Sequence, residues 1–353
     1  MRMLKVCAWV MTCLLLLLML LLALSKIDPV AWQPGENPGL TGPFAPNEKL
    51  AAIQHLLTDV GEGPEDVTRG PDGLFYSGFQ DGRIVKFDLQ GQHWDFVNTG
   101  GRPLGMQFDS AGNLVVADAF KGLLSISPAG TISVLTDSFA GKKMLFVDDL
   151  DIAADGTIWF SDASQRFDQH NFIYDFLEAR PSGRLLSYSP QTGKTSLHMD
   201  DLFFANGVAL GPQDQFVLIN ETGTGRIHRL WLSGNKKNTH DLFFDALPGG
   251  PDNLSFNGVD TFWVALPILR DPEVEKLASQ PLLRKLIATL PVSVLLPISS
   301  HGFVVGLDVD GKVKTTLQSN AGGFHNITSV NEFDGRLLMG SIAMRSVGVL
   351  ELQ

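Results

Sequence analysis

Oxygen-bearing side chains lie where several apolar strands of the sequence are expected to begin. The residues in these positions are Glu65, Asp148, Asn206 and Asp252. Asp and Asn are common in turns, so turn formation alone would explain any one of them. Together they supply carboxylate and amide oxygens, a ligand set that suits Ca²⁺, which takes about 6–8 oxygen ligands in flexible geometry. The chemistry they predict is that of a hard divalent cation.

A repeat of β-type segments would bring these residues together. From about Ala51 onward the chain contains six units, each with an apolar strand, a second strand with small residues and a third strand that opens at a turn. Units of about 40–50 residues with four strands are typical of a β-propeller. In a propeller the innermost strands begin near the central axis on one face. We therefore predict an all-β fold, a six-bladed β-propeller whose ring closes when residues 51–57 complete the last blade.

Softer metals fit the sequence less well. Both cysteines, Cys7 and Cys13, lie near the N-terminus, so the rest of the chain has neither a disulfide nor a thiolate site. Without thiolates or a clear histidine cluster, zinc is disfavoured. His325 precedes the last inner strand and is the one histidine that we expect near the axis. It is a candidate general base, and a surface or structural role explains it equally well.

The N-terminal region is apolar enough to cross a membrane. Residues 6–25 carry no charge and are dominated by leucine, and about 20 such residues span a bilayer core. Arg2 and Lys5 precede them, so the N-terminus is predicted to stay cytoplasmic. A cleaved signal peptide is the alternative, because residues 23–25 could serve as a cleavage site. Under either interpretation the rest of the chain is exported, to a periplasmic, luminal or extracellular compartment.

These expectations divide the chain into three parts. Residues 1–26 form a cytoplasmic stub and a transmembrane signal anchor, residues 27–49 a stiff proline-rich linker, and residues 50–353 the propeller. The net charge of −11 argues against a nucleic-acid partner, because phosphate binding needs clustered Lys and Arg.

Two long insertions, residues 164–182 and 267–301, interrupt the third and fifth units. Both connect a second strand to a third, so both should overhang the face that carries the proposed site. The second contains a predicted helix over residues 271–290 that Pro281 interrupts. One interpretation is that the insertions pack on each other as extra core. The other is an apolar lid that selects hydrophobic substrates and contacts the bilayer.

The region from Glu65 to the C-terminus resembles the strictosidine synthase-like family. The segments that carry the resemblance are residues 63–66, 101–105, 117–123, 204–210 and 247–253. The resemblance extends more distantly to paraoxonases, gluconolactonases and regucalcin, which are propellers with an axial calcium. It implies that a catalytic Ca²⁺ is held by Glu65, Asp148, Asn206, Asp252 and Asn253. It also implies a second, structural calcium at Asp66 and Asp149.

The chain departs from these relatives at positions that carry their chemistry. The histidines that paraoxonases use as bases have no counterpart, since the matching segments read Arg-Pro-Leu at residues 102–104 and Ala-Leu-Pro at residues 265–267. The glutamate that strictosidine synthase uses for amine–aldehyde condensation matches Thr328, so we do not expect condensation. Asp148 stands where relatives commonly carry Asn, which makes this site more negative.

The residues and the resemblance together predict a membrane-anchored, calcium-dependent hydrolase of a small hydrophobic ester or lactone. Ca²⁺ would polarise the substrate carbonyl, and Asp252 or His325 would activate water. The alternative is a catalytically silent propeller that binds a partner and holds calcium only for structural reasons.

Overall fold

The computed structural model describes residues 2–296, 300–319 and 322–352. Its main body consists of six four-stranded antiparallel sheets, which confirms the predicted six-bladed β-propeller. A long helix, α1 (Arg2–Leu24), precedes the propeller. Within the described residues it is the one helix long and apolar enough to cross a membrane.

The strands follow one another along the chain, and in every blade the innermost strand comes first among the strands of its own unit. Up to the third blade they are β1 (Gln54–Leu56), β2 (Val67–Arg69), β3 (Phe75–Gly78), β4 (Arg83–Phe87), β5 (His93–Asn98), β6 (Pro103–Phe108), β7 (Leu114–Asp118), β8 (Gly122–Ile126), β9 (Ile132–Thr136), β10 (Ser138–Phe139), β11 (Lys142–Lys143), β12 (Val147–Ile152), β13 (Ile158–Asp162), β14 (Gly183–Ser189) and β15 (Lys194–Leu202).

The remaining blades use the same order, with the second insertion between two strands of the fifth. Their strands are β16 (Ala205–Leu210), β17 (Phe216–Glu221), β18 (Arg226–Trp231), β19 (His240–Phe244), β20 (Gly249–Gly250), β21 (Leu254–Phe256), β22 (Thr261–Ala265), β23 (Ile268–Leu269), β24 (Gly302–Asp308), β25 (Val313–Ser319), β26 (Ile327–Phe333), β27 (Arg336–Ser341) and β28 (Val347–Glu351). Two further sheets, β10 with β11 and β20 with β23, have only two strands each.

The core lies between neighbouring blades, and the second strand of each blade contributes most to it. Strands β7, β13 and β22 are buried along their whole length. Their sequences are rich in aromatic and β-branched residues, which pack well on both faces of a sheet. The predicted positions of these second strands are confirmed.

The ring closes through strands from both ends of the described chain. Strand β1 pairs with β28, with Gln54 opposite Val349, and so completes the sixth blade with β26 and β27. The predicted role of residues 51–57 as the missing outer strand is confirmed. Just before β1, Leu50 is 1% exposed and packs in a cluster with Phe324 and Ile327.

The proline-rich segment, residues 27–49, is extended, and it is packed on the propeller at several points. The Val30 amide donates to the Glu178 carbonyl oxygen over 3.0 Å, and the Trp32 amide donates to that of Ala278 over 3.2 Å. Phe44 belongs to a buried cluster of the fourth and fifth blades. The sequence indicated the extended conformation but not this attachment.

The insertions contain short helices. The first has α2 (Ile173–Glu178), and the second has α3 (Pro272–Glu275), α4 (Pro281–Ile287) and α5 (Val292–Leu295). Short 3₁₀ turns cover Gly42–Phe44, Gln169–Asn171, Pro212–Asp214 and Gly234–Lys236.

The helix predicted over residues 271–290, with an interruption at Pro281, is present as two short helices, α3 and α4, which residues 276–280 separate. Pro281 stands at the first position of α4 and Pro291 directly precedes α5. Proline suits the first turn of a helix and breaks a helix interior, so each of these residues starts a new element.

Truncating Leu50 should weaken the ring closure. Leu50→Ala removes a buried side chain and leaves a cavity, so we expect a loss of about 2–5 kcal/mol in the free energy of unfolding, measured with denaturant. Leu242, which is 45% exposed, provides the control, and Leu242→Ala should change the value by less than about 0.5 kcal/mol. Equal effects of the two substitutions would contradict the assigned closure.

Candidate functional site

The first residues of four inner strands meet at the axis. The Asn253 side-chain amide donates to Glu65 Oε1 over 3.2 Å, which joins the fifth blade to the first. Asn206 donates to the Asp252 carboxyl, and the Asp148 carboxyl lies close enough to that of Asp252 for their charges to interact. The predicted convergence of blades one, three, four and five is therefore present. We call these five side chains the upper cluster.

Most of the upper cluster is enclosed. Glu65, Asp148, Asn206 and Asn253 are between 2% and 4% exposed. Asp252 is only partly buried and is the member of the cluster that solvent can reach. The side of Asp252 is therefore the open side of the cluster.

The carboxyls of the upper cluster hold protons more tightly than usual. Burial raises the pKa of Glu65 well above its ordinary value, and the charges of Asp252 and Asp148 raise it further. Burial and then the charge of Asp252 raise the pKa of Asp148 in the same way. Loss of hydration raises the pKa of Asp252 to about 7, although the hydrogen bond from Asn206 opposes the shift. Charged carboxylates this close together need a cation to stabilise them.

Three buried oxygens of the cluster have no hydrogen-bond partner: Glu65 Oε2, Asn206 Oδ1 and Asn253 Oδ1. Buried polar atoms in proteins are nearly always paired, so these three indicate a missing partner. A Ca²⁺ ion would satisfy all of them, because oxygen atoms from carboxylates and amides are its preferred ligands. Among the described residues no group of three His, Cys, Asp or Glu side chains could hold an ion alone. The amides are therefore essential to any metal site here.

Irregular strand pairing turns the cluster residues toward the axis. A β-bulge lies between Val147 and Leu150 in β12, and another lies between Ala205 and Val208 in β16. Successive side chains of a regular strand point to opposite faces, whereas a bulge re-aims them. Asp148 and Asn206 lie inside these two bulges. Only glycine fits at position 207, because a Cβ on Gly207 would lie 2.5 Å from the Asp252 carbonyl oxygen.

An acidic residue near the end of the second strand holds the start of the inner strand in three blades. The acceptors are Asp118 for the Arg102 amide, Asp162 for the Phe146 amide and Glu221 for the Phe203 amide, at 3.0, 3.2 and 2.8 Å. Each bond ties the chain just before an inner strand to its own blade. The repeated arrangement fixes the positions from which the upper cluster projects.

The second predicted pair, Asp66 and Asp149, occupies the next layer along the axis. Asp66 accepts from the Met106 amide at 3.0 Å and from the Asn331 side chain at 2.9 Å. Asp149 accepts from the Val208 amide at 2.8 Å. Each carboxyl thereby bonds an inner strand to that of a neighbouring blade. A cavity of about 170 Å³ adjoins both residues. The hydrogen bonds oppose the effect of burial, but burial still raises the pKa of Asp66 and, together with the charge of Asp66, raises the pKa of Asp149 well above its ordinary value.

Arg102 is a buried cation beside the upper cluster. It is 2% exposed, and its Nη1 lies 3.5 Å from the Gly78 carbonyl oxygen, which also accepts the Glu65 amide. Its Nε and Nη2 atoms have no partner. Burial lowers the pKa of Arg102, whereas the charge of Glu65 and, more weakly, that of Asp118 oppose the shift. The guanidinium therefore offsets part of the negative charge of the cluster.

His325 lies just before β26, and Thr328 is the second residue of β26. His325 is partly exposed, and its Nδ1 lies 2.7 Å from the Gly323 carbonyl oxygen. Thr328 is buried, donates from Oγ1 to the Glu65 carbonyl oxygen over 2.7 Å and accepts the Asn253 amide. Thr328 thus holds the backbone of two cluster residues, and it carries no acid group.

Two residues of the site, Arg102 and Asn220, were not predicted from the sequence. In the sequence, Arg102 was noted only because its segment lacks a histidine. A single sequence does not show that an arginine at the start of a strand is buried against carboxyls. Asn220, at the end of the second strand of its blade, donates to the Asp252 carbonyl oxygen, and its own Oδ1 is buried without a partner. No signal along the sequence marks Asn220, because its bond crosses from the fourth blade to the fifth.

Two family models match the sequence. One described as strictosidine synthase covers residues 148–235, and one described as the N-terminal part of strictosidine synthase-like proteins covers residues 42–87. Together they include Glu65, Asp148 and Asn206 of the upper cluster.

Curated relatives match almost the whole chain. The adipocyte plasma membrane-associated protein of Danio rerio is 33% identical over 341 residues, which are 90% of this chain and 82% of the relative. The strictosidine synthase-like protein 10 of Arabidopsis thaliana is 36% identical over 323 residues, 82% of this chain and 85% of the relative.

Solved structures share the fold at low sequence identity. A putative gluconolactonase has a TM-score of 0.62 at 18% identity, with 85% of this chain and 91% of that chain covered. Regucalcin from Agrobacterium tumefaciens, whose title calls it a calcium-binding protein, has a TM-score of 0.60 at 14% identity, with 84% and 93% covered. These likenesses confirm the propeller fold.

The raised pKa values predict how the stability of the metal-free protein depends on pH. The ordinary pKa of an Asp carboxyl is about 3.9 in the unfolded chain and that of Asp252 is about 7 in the folded protein. The folded state therefore binds more protons between these values, and its stability should fall as pH rises from about 4 through about 7. Chemical unfolding in the presence of a chelator measures this.

Asp252→Asn should make that fall shallower, because the substituted side chain does not titrate. Asp334, whose side chain is 67% exposed, provides the control, and Asp334→Asn should leave the pH profile unchanged. A stability that rises with pH over this interval would contradict the shifts described here.

Proposed function

Because the chain belongs to the strictosidine synthase-like family, we propose that it is a membrane-anchored hydrolase of small hydrophobic esters or lactones that depends on an axial Ca²⁺. The observation that carries the proposal is the set of orphaned oxygens on Glu65, Asn206 and Asn253. The calcium-binding and gluconolactonase titles of proteins with the same fold support it.

The five residues of the upper cluster would hold the ion. When bound, Ca²⁺ would polarise a substrate carbonyl and stabilise the oxyanion that forms from it. Glu65, Asp148, Asn206 and Asn253 line the enclosed side, which leaves the side of Asp252 for the substrate. The proposal keeps Asp66 and Asp149 as a second, structural calcium pair. Its support is weaker, because both carboxyls already accept hydrogen bonds.

Two groups remain candidates for activating water. His325 places Nδ1 against the Gly323 carbonyl oxygen, so Nδ1 carries the proton and Nε2 is left as an acceptor. A base needs that tautomer. Asp252 is the alternative because it is the only carboxyl of the cluster that is not fully buried. Both side chains are partly exposed, whereas the other four residues of the upper cluster are buried.

The anchor in this proposal is α1, with the propeller on the exported side. Residues 5–24 of α1 have a mean hydropathy of 2.8 and no buried part. Arg2 and Lys5 at the start of α1 favour a cytoplasmic N-terminus.

A propeller that binds a partner without catalysis is the second candidate. The segments at residues 102–104 and 265–267, which the resemblance matches to those that carry the paraoxonase histidines, contain no histidine, and this favours the second candidate. Calcium would then serve only to neutralise the upper cluster. An assay of aryl esters and lactones with and without chelator separates the two functions.

Removing one charge from the upper cluster should weaken calcium binding strongly. We expect Glu65→Gln and Asp252→Asn each to reduce Ca²⁺ affinity by at least about tenfold, because a hard cation depends on the charge of its ligands. Calorimetry on the purified protein measures it. Glu273→Gln, at a side chain 77% exposed, is the control and should bind as the unmodified protein does.

The same variants test the hydrolase assignment. Glu65→Gln should lose chelator-sensitive hydrolysis of aryl esters or lactones together with calcium affinity. Tight calcium binding without any hydrolysis in the unmodified protein would favour the partner-binding alternative. Unchanged calcium binding in both cluster variants would reject the site itself.

Condensation of tryptamine with an aldehyde should not occur. Thr328 occupies the position of the condensing carboxylate, and a hydroxyl is not an ordinary base at neutral pH. Its hydroxyl is moreover engaged with the Glu65 carbonyl oxygen. Product that depends on the enzyme, detected by mass spectrometry, would overturn this expectation.

A further inference from the structure

We infer that the second insertion docks on the lipid bilayer, so that the site face of the propeller lies against the membrane that α1 enters. The docking surface consists of exposed apolar residues on and between α4 and α5, namely Leu282, Leu290 and Val294. The inference rests on the transmembrane placement of α1 proposed above and not on the hydrolase chemistry.

The chain is fixed to the propeller almost as soon as α1 ends. Helix α1 ends at Leu24, and Ile27 is already 3% exposed in a cluster with Tyr174 and Ala288. Three residues span at most about 11 Å when fully extended. The end of the anchor therefore cannot move far from the two insertions.

Polar contacts also hold Asp28, the residue after Ile27, in place. The Asp28 amide donates to Glu178 Oε1 over 2.7 Å. The Asp28 carboxyl accepts from Arg180 at 2.8 Å and lies 3.7 Å from Lys285 Nζ. Glu178 and Arg180 belong to the first insertion and Lys285 to α4, so both insertions hold the same short segment. Exposed ion pairs of this kind contribute little singly, and here the backbone bond accompanies them.

A buried arginine links α4 to this segment. Arg284 is 3% exposed and donates to the carbonyl oxygens of Leu177 and Val30. It also donates to the Ala278 carbonyl oxygen over 3.1 Å. The Arg284 side chain thus joins both insertions to the segment that follows α1. The position of α4 relative to the end of α1 is set by these bonds.

Helix α5 lies beside the same cluster. Its residues Val292 and Leu295 are partly buried against the cluster of Ile27, Tyr174 and Ala288. Val294, on the other side of α5, is 65% exposed, and Leu290 just before α5 is 45% exposed. Leu282 of α4 is 71% exposed. These apolar side chains point away from the protein within a short distance of the anchor.

The bilayer is the partner that this geometry selects. A helix that enters the membrane brings the lipid surface to the residues that follow it, whatever else is present. Apolar side chains on short interfacial helices bury readily at the boundary between headgroups and acyl chains. Both insertions connect second strands to third strands and therefore lie on the face of the upper cluster. Docking would open the site toward lipid, so apolar substrates could reach it from the membrane.

Depth-dependent fluorescence quenching tests the inference on the full chain. The protein would be placed in phosphatidylcholine nanodiscs that contain nitroxide-labelled lipid, and single cysteines would carry a bimane label. Val294→Cys and Leu282→Cys, each with Cys7→Ser and Cys13→Ser, report on the docking surface. Val259→Cys in the same background is the control, because Val259 is 77% exposed in the turn between β21 and β22, at the opposite face.

A label on the native Cys13, in a Cys7→Ser background, reports separately on α1. We expect strong quenching of the label at positions 13, 282 and 294. At position 259 we expect no more quenching than a labelled water-soluble protein shows. Quenching at position 13 with equal, weak quenching at 294 and 259 would overturn the docking and leave the anchor intact. Absence of quenching at position 13 would overturn the transmembrane placement and the inference with it.

Discussion

Mutual repulsion among carboxyls near the propeller axis is the constraint on which the upper cluster depends. Glu65, Asp148 and Asp252 come from three blades, and burial raises the pKa of each. The charges of neighbouring carboxyls raise the pKa values of Glu65 and Asp148 further. Burying like charges is costly unless protons or cations neutralise them. Arg102 supplies one positive charge from the neighbouring blade. Arg102 leaves part of the negative charge of the three carboxylates uncompensated, and a divalent cation would neutralise this remainder.

Buried acidic residues near the axis have different partners in the upper cluster and in the next layer, which contains Asp66 and Asp149. Asp66 and Asp149 accept backbone amides from neighbouring inner strands, and these hydrogen bonds offset part of the effect of burial on their pKa values. Glu65 has only one of its oxygens paired, and the amide oxygens beside it are unpaired. The carboxyls of Asp66 and Asp149 therefore have hydrogen-bond donors, whereas three oxygens of the upper cluster have no partner. This contrast, rather than the number of acidic residues, locates the proposed ion.

Repetition made most of the fold predictable from the sequence. Each blade repeats an apolar second strand and a turn before its third strand, so an error in one unit is corrected by the other five. The incomplete last unit also identified residues 51–57 as its closing strand. The helix over residues 271–290 was harder, because leucine spacing indicated its length while Pro281 determined where it breaks.

The site was predictable only in part, and for a physical reason. Acidic and amide residues at equivalent positions of four blades indicated the ligands of the upper cluster. Arg102 and Asn220 act through contacts between blades, and such contacts leave no pattern along one blade. The packing of residues 27–49 on the propeller could not be predicted either. It depends on hydrogen bonds from Arg284 to backbone oxygens that are far away in sequence.

A crystal structure of the protein grown with calcium, with anomalous difference density recorded at long wavelength, tests the central claim most directly. The account predicts one strong peak among Glu65 Oε2, Asn206 Oδ1 and Asn253 Oδ1, the atoms that lack partners. A map without a peak there, or with a peak only between Asp66 and Asp149, would contradict it.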